Sequence, residues 1–148
     1  MKSIPLIVPD VNVLVSGTAV SNHPPALIVE AWKDEIIEFA TSEPILADLR
    51  RVFTYPHVLK LTRMNAQEVT TYIQAIREGS HLVPGTMPVE ISPDPADNKL
   101  FACAIEAGAD YVVSGDKKDV LSVGSYEGVE TISPGDFVRD VLMGEKAA

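Results

Sequence analysis

The feature that most constrains the fold is a short apolar run that ends in a carboxylate and leads straight into a helical pattern. Residues 6–9 (LIVP) reach Asp10, and the stretch 10–16 (DVNVLVS) then reads as the start of a helix. The pattern recurs downstream, where another apolar run ends at Asp116. In α/β proteins, the carboxyl ends of parallel strands are where sites are built. Asp10 and Asp116 are therefore predicted at the same edge of one sheet.

Apolar runs alternate with helical patterns along the whole chain, which is typical of a parallel sheet with crossover helices. The predicted strands occupy residues 6–10, 36–40, 81–84, 110–114 and 129–132. We therefore predict a three-layer α/β/α sandwich on a mainly parallel sheet of about five strands. With 148 residues and no linker-like segment, the chain is expected to form a single domain over residues 1–148.

Helix boundaries are predicted from capping residues and prolines. The expected N-terminal signals are Pro24-Pro25, Ser42, Asn65 with Glu68, Asp94-Pro95 and Ser133-Pro134, and the expected stops include Gly79 and Gly108.

Composition limits the class of protein. Hydrophobic residues make up 46% of the chain and charged residues 22%, which are ordinary globular values. Apolar runs are too short to span a membrane, so no membrane association is expected. The single cysteine, Cys103, excludes an internal disulfide, and a reducing, cytoplasmic location is expected.

The net charge of −9 argues against a general nucleic-acid coat protein. Residues 49–67 nevertheless contain basic side chains and no acid. These are Arg50, Arg51, Lys60 and Arg63. They are candidate contacts to a polyanionic substrate, and solvated helix faces are the equally good alternative.

Three carboxylates are predicted to reach one sheet edge by separate routes: Asp10, Asp97 and Asp116. Like charges held together require a hard cation if all are to stay ionised, so the pattern predicts a metal-dependent enzyme. Each acid also has a local explanation, because Asp97 would complement a helix dipole and Asp116 would suit an Asx-turn. Asp94 is most simply a helix cap.

The helix after Ser42 offers a further acid, either Asp48 or Glu43, and the sequence leaves this choice open. Asn12 and Ser114 flank Asp10 and Asp116. Such neutral groups can orient a ligating carboxylate, or they can satisfy local backbone.

Four stretches together resemble PIN-domain nucleases, in particular the branch of VapC-like toxins from toxin–antitoxin systems. They are residues 10–16 (DVNVLVS), 42–49 (SEPILADL), 94–104 (DPADNKLFACA) and 108–116 (GADYVVSGD). The order and spacing of these stretches carry the resemblance, which extends from about residue 6 to residue 141.

The resemblance implies a catalytic quartet of Asp10, Asp48, Asp97 and Asp116, with Asp119 as an auxiliary acid. It implies Mg²⁺ or Mn²⁺ held by Asp10, Asp97 and Asp116, and RNA as the substrate. The family usually has glutamate where this chain has Asp48. An aspartate is one methylene shorter and would reach a metal only through water, so the number of metals stays open.

The resemblance also implies partners, namely an antitoxin protein or a second copy of the chain in a homodimer. A housekeeping RNA-processing nuclease and a catalytically silent PIN-fold scaffold are the alternatives. A dehalogenase-type phosphatase is disfavoured because Asn12 stands where its second aspartate would be. A dinucleotide-binding module is disfavoured because no G-x-G-x-x-G follows a strand.

Overall fold

The computed structural model describes residues 3–19 and 21–144, and the ends of the predicted domain lie outside these residues. The described residues form one six-stranded sheet with the strand order β3-β2-β1-β4-β6-β5. The strands are β1 (Leu6–Pro9), β2 (Glu38–Ser42), β3 (His81–Val83), β4 (Tyr111–Val113), β5 (Ser125–Tyr126) and β6 (Val129–Ile132). Only the β5–β6 pair is antiparallel. The predicted mainly parallel α/β/α architecture is confirmed.

Helices connect the parallel strands. They are α1 (Val11–Ser16), α2 (Pro24–Lys33), α3 (Glu43–Val52), α4 (Pro56–Thr62), α5 (Ala66–Glu78), α6 (Pro95–Ala107) and α7 (Pro134–Asp136), and α7 continues as a π-helical segment, Phe137–Leu142. Ser42, Asp94 and Ser133 accept hydrogen bonds from backbone N–H groups in the first turns of their helices. Asn65 and Glu68 form a reciprocal capping box. The predicted helix starts are confirmed.

Two hydrophobic clusters cover the two faces of the sheet. Adjacent strand residues point to opposite faces, so Ile7 belongs to one cluster and Val8 to the other, and both are fully buried. Phe39 extends the first cluster and stacks on Trp32 of α2, with ring centroids 4.9 Å apart. Phe101 of α6 belongs to the second. The sheet edge that carries the site is thus supported from both sides.

The structure corrects the predicted start of the second strand. The strand begins at Glu38 rather than at residue 36, and the Ile36 side chain is 57% exposed. The backbone N–H groups of Ile36 and Ile37 both point to the carbonyl of Ala31 at the end of α2. These two residues wrap the helix terminus and are not available to the sheet.

Strand β5 was not predicted. It pairs with β6 through a tight turn in which Glu127 and Gly128 both have positive φ, at 51° and 84°. This is the turn geometry that favours two-residue hairpins. Helix α4 was also not predicted as a separate element. No helix in residues 3–19 and 21–144 has the length and apolar character needed to cross a membrane.

Candidate active site

The carboxyl ends of β1 and β4 bring the first two acids together. The backbone N–H of Asp10 donates to the carbonyl of Val113 at 2.9 Å, which extends the parallel ladder by one residue. Asp10 is also the N-cap residue of α1. Asp116 follows β4 after Ser114 and Gly115. Strand pairing therefore places Asp10 beside the start of the loop that carries Asp116.

Ser114 joins these two acids. Its hydroxyl donates to Oδ2 of Asp10 at 2.7 Å and accepts a hydrogen bond from the backbone N–H of Asp116 at 3.0 Å. Ser114 is fully buried, whereas Asp10 and Asp116 are partly exposed, so both contacts lie at the boundary between the core and the cavity. The hydroxyl orients the Asp10 carboxylate and fixes the start of the Asp116 loop.

Helix α6 supplies the third acid. Asp97 lies in its first turn and is buried, and its Oδ2 accepts a hydrogen bond from the Ser92 hydroxyl at 3.0 Å. Asp94 caps the same helix by accepting from the backbone N–H of Ala96 at 3.0 Å. Ser92 was not predicted from the sequence, because its contact depends on how the loop before α6 folds back.

One small cavity collects the predicted acids. Its volume is about 170 Å³. Its polar lining consists of Asp10, Asn12, Asp48, Arg51, Asp94, Asp97 and Asp116. Val11, Ile45 and Leu100 are among its apolar walls. The structure therefore brings Asp10, Asp48, Asp97 and Asp116 around one space, while their catalytic roles stay predictions.

Carboxylate oxygens of Asp97, Asp116 and Asp119 lie within 4.8 Å of one another. The backbone N–H of Asp119 donates to Oδ1 of Asp116 at 2.9 Å, which keeps these two residues close. Asp10 is outside this group of three among the described residues. An all-oxygen donor set of this kind suits a hard divalent cation such as Mg²⁺ or Mn²⁺.

Burial and repulsion between carboxylates disfavour ionisation of Asp97 and Asp10. The pKa of Asp97 is raised to about 6, chiefly by removal from water and in smaller part by the carboxylates of Asp94, Asp116 and Asp10, while the Ser92 hydroxyl opposes the shift. Burial also raises the pKa of Asp10, and Asp116 adds to the effect, while the Ser114 hydroxyl opposes it. Within residues 3–19 and 21–144, no lysine or arginine pairs with Asp10, Asp97 or Asp116. A bound cation would supply the missing compensation.

Comparison with known families agrees with this geometry. The profile described as PIN domain matches residues 7–118, about three quarters of the chain and the part that contains Asp10, Asp48, Asp97 and Asp116. The chain belongs to the PIN domain family. PIN domains are generally nucleases that depend on divalent metal ions. None of the curated proteins compared with this chain matches it.

Asp48 of this PIN domain differs from the other acids of the cavity. It is buried, yet two cations of the same chain contact it. The Lys99 ammonium lies 3.1 Å from both carboxylate oxygens, and Nη1 of Arg51 lies 3.0 Å from Oδ1. Lys99 was not predicted as a site residue. A signal was present, because it is the one charged residue in the otherwise apolar stretch 99–105 (KLFACAI).

The structure does not bring Glu43 to the cavity. Its carboxylate accepts two hydrogen bonds of 2.9 Å from the Arg77 guanidinium on α5, and the side chain is exposed. The Arg77 contact lowers the pKa of Glu43. Of the two acids considered on α3, the cavity therefore contains Asp48.

Of the four candidate RNA-binding cations, one lines the cavity and three do not. Arg51 lines the cavity. The others lie outside the cavity lining at exposed positions on and around α3 and α4, namely Arg50, Lys60 and Arg63.

The loop before α6 is fastened to that helix by two side chains. The Asn98 side-chain oxygen accepts from the backbone N–H groups of Ile91 and Ser92, at 3.0 and 2.9 Å. The Glu106 carboxylate accepts from the backbone N–H groups of Gly85 and Met87, both at 2.8 Å. Both ends of the loop are thus fastened to α6, which also carries Asp97.

Proposed function

We propose that this PIN domain is a Mg²⁺- or Mn²⁺-dependent endoribonuclease that hydrolyses phosphodiester bonds. The observation that carries the proposal is the group of carboxylates at one sheet edge whose negative charge no described lysine or arginine compensates. Structural ion pairs in proteins are normally matched, so an unmatched acidic group in a cavity points to a bound cation.

In this proposal Asp10, Asp97 and Asp116 hold the ion, and Asp119 lies close enough to assist. When bound, the ion would lower the pKa of water and neutralise charge on the scissile phosphate. Ser114 and Ser92 orient the carboxylates of Asp10 and Asp97 through the hydrogen bonds described above. Asn12, on the cavity wall, is available for contact with substrate.

RNA would enter along the basic surface at the end of α3 and on α4. Arg51 would contact the phosphate at the cavity, and Arg50, Lys60 and Arg63 would contact the backbone outside it. Phosphate contacts of this kind position a nucleic acid and do not read its sequence. Because the chain has a net charge of −9, binding should depend strongly on this local patch.

The decisive experiment incubates the purified protein with single-stranded RNA in Mn²⁺ or in EDTA. Wild type should cleave only with the metal, and Asp10→Asn should not cleave. Glu43→Gln, which changes an acid of the same region outside the cavity, is the matched control and should keep activity. Equal cleavage in EDTA, or full activity of Asp10→Asn, would contradict the proposal. RNA binding without cleavage by wild type would favour a silent scaffold.

We further propose that the protein is the toxin of a toxin–antitoxin pair and acts in the cytoplasm. The support is the resemblance of its motifs to VapC-like toxins. Expression of wild type in bacterial cells should arrest growth, and Asp10→Asn should not. Unchanged growth together with RNA cleavage in vitro would instead favour a housekeeping RNA-processing nuclease.

A protein partner forms part of the same proposal, either a second copy of the chain or a small antitoxin. Leu59 and Leu61 of α4 expose apolar side chains to solvent, which supports a partner surface. Light scattering should show a dimer, or an antitoxin should co-purify from cells. A monomer at high concentration with no bound protein would contradict this part of the proposal.

A further inference from the structure

We propose that Asp48 is not a metal ligand but a positioning residue, which holds Lys99 and Arg51 as a pair of cations that bind the substrate phosphate. The proposal rests on the proposed nuclease function and reassigns one acid of its site. It separates the cavity into a metal-binding side and a phosphate-binding side.

The contacts of Asp48 are the first support. Lys99 reaches from α6 to α3 and places its ammonium at 3.1 Å from both Oδ1 and Oδ2. Arg51, one turn further along α3, places Nη1 at 3.0 Å from Oδ1. The ammonium thus sits where a cation would approach both oxygens. A metal ion could use this carboxylate only after Lys99 moved away.

The balance of charge is the second support. Two cations around one carboxylate leave a net positive charge beside the cavity, opposite acids that have no such partners. Arg51 is part of the cavity lining, whereas Lys99 contacts the lining residue Asp48 without lining the cavity itself. A phosphodiester carries one negative charge and is attracted to the Asp48 side, whereas a divalent cation is attracted to the other. The two sides therefore suit the two charged components of a metal-dependent phosphodiester cleavage.

Accessibility is the third support. The Arg51 and Lys99 side chains are 57% and 35% exposed, whereas the Asp48 side chain is only 6% exposed. Arg51 lines the cavity, contacts Asp48 through Nη1 and also hydrogen-bonds to Tyr55, so only part of its five N–H groups remains for a phosphate oxygen. The buried carboxylate orients two cations whose outer surfaces face solvent.

The first test measures binding of a fluorescently labelled single-stranded RNA in EDTA, by anisotropy over a range of salt concentrations. Lys99→Gln and Arg51→Gln should each weaken binding roughly five- to tenfold at low salt. Each should also reduce the slope of log affinity against log salt by about 0.7, the value for one lost phosphate contact on a single strand. Arg139→Gln is the matched control: Arg139 is an exposed arginine paired with Asp136 and Asp140, does not line the cavity, and should leave the slope unchanged.

The second test counts bound Mn²⁺ by electron paramagnetic resonance in the RNA-free protein. Asp48→Asn should bind the same number of ions with an affinity within about twofold of wild type. Asp116→Asn should weaken binding by at least ~100-fold, because it removes a proposed ligand. Where Lys99→Gln does not fold, the double variant Asp48→Asn/Lys99→Gln removes both charges together and should show the same loss of RNA binding.

The outcomes separate this proposal from the proposed function. Loss of bound Mn²⁺ in Asp48→Asn would make Asp48 a ligand and overturn the proposal while leaving the nuclease function in place. Wild-type RNA binding by both Lys99→Gln and Arg51→Gln, or no RNA binding by wild type, would overturn the phosphate role. Failure of wild type to cleave RNA with Mn²⁺ would overturn the nuclease function, whatever Mn²⁺ binding shows for Asp48.

Discussion

Aspartate side chains on the two sides of one small cavity have opposite electrostatic surroundings. Asp97 and Asp10 are surrounded by other carboxylates, and their pKa values are raised by burial and repulsion. Asp48 is equally buried but is contacted by Lys99 and Arg51. The first side is stabilised when negative charge is removed or a cation arrives. The second is stabilised by the positive charges of Lys99 and Arg51. Loss of charge should therefore raise the free energy of unfolding on the first side and lower it on the second.

The largest effect should come from Asp116→Asn, which removes one carboxylate of the group formed with Asp97 and Asp119. Loss of a residue that only hydrogen-bonds to a metal ligand already weakens metal affinity about 10- to 100-fold, so loss of a ligand itself should lower Mn²⁺ affinity and cleavage by at least ~100-fold. Isothermal titration and an RNA cleavage assay measure this. Wild-type Mn²⁺ affinity in the variant would show that the acidic side does not bind the metal.

The second largest effect should be a loss of stability in Lys99→Ala. Asp48 would keep only Arg51, and an undercompensated buried carboxylate should lower the free energy of unfolding by about 2 to 3 kcal/mol. Urea denaturation at pH 7 in EDTA measures the change. The double variant Asp48→Asn/Lys99→Ala should recover much of the loss, since no buried charge is left. Equal loss in both variants would mean that Lys99 contributes by packing alone.

A smaller effect of the opposite sign is expected for Asp97→Asn without metal. The pKa of Asp97 is about 6 in the folded protein and 3.8 ordinarily, so the folded state binds its proton more tightly than the unfolded chain. The free energy of unfolding therefore falls as pH rises from about 4 to about 6, by an amount on the order of 2 kcal/mol from this group. Asn has no such dependence and still accepts from Ser92.

The measurement is a series of urea denaturations of wild type and Asp97→Asn in EDTA from pH 4 to pH 7. The variant should be close to wild type near pH 4 and progressively more stable above it. Saturating Mn²⁺ at pH 7 should reverse the order, because only wild type gains the full stabilisation from the bound ion. A difference that does not change with pH would show that Asp97 ionises normally.

The smallest effect is expected for Glu43→Gln, which removes an exposed ion pair with Arg77 on the same helix as Asp48. Exposed ion pairs contribute below about 1 kcal/mol to stability, so the free energy of unfolding should change by less than that. The rate of RNA cleavage should not change. Thermal melting and the cleavage assay measure both. A large loss of activity would show that substrate reaches further along α3 than the cavity does.

Much of the architecture could be predicted because it depends on local patterns. Asn65 with Glu68, and Asp94 with Pro95, specify their helix starts within a few residues of sequence. The strand ends at Asp10 and before Ser114 follow from the apolar runs. The start of β2 could not be predicted, because Ile36 looks like a strand residue and is removed from the sheet only by contacts with the end of α2.

The positions of the site residues could be predicted only in part, and their catalytic and metal-binding roles stay predictions. Acids that follow strands were placed correctly at the cavity because parallel strands end at a common edge. Which of Asp48 and Glu43 faces the cavity depends on how α3 is rotated against α5 and α6. The local sequence pattern does not determine this rotation. Lys99 contacts Asp48, which is 51 positions away in the sequence, and Ser92 contacts Asp97, which is 5 positions away. Only the folded chain brings these pairs together.

The fastening of the loop before α6 has a consequence for protein engineering. Asn98 and Glu106 hold the loop by its backbone N–H groups, so its shape depends on the helix more than on its own side chains. A chimera that exchanged only the loop with a relative would need matching anchors in α6. Exchange of residues 85–107 in one piece would carry the anchors, Asp97 and Lys99 together. The smallest segment that could be exchanged without losing these anchors is therefore the loop with its helix.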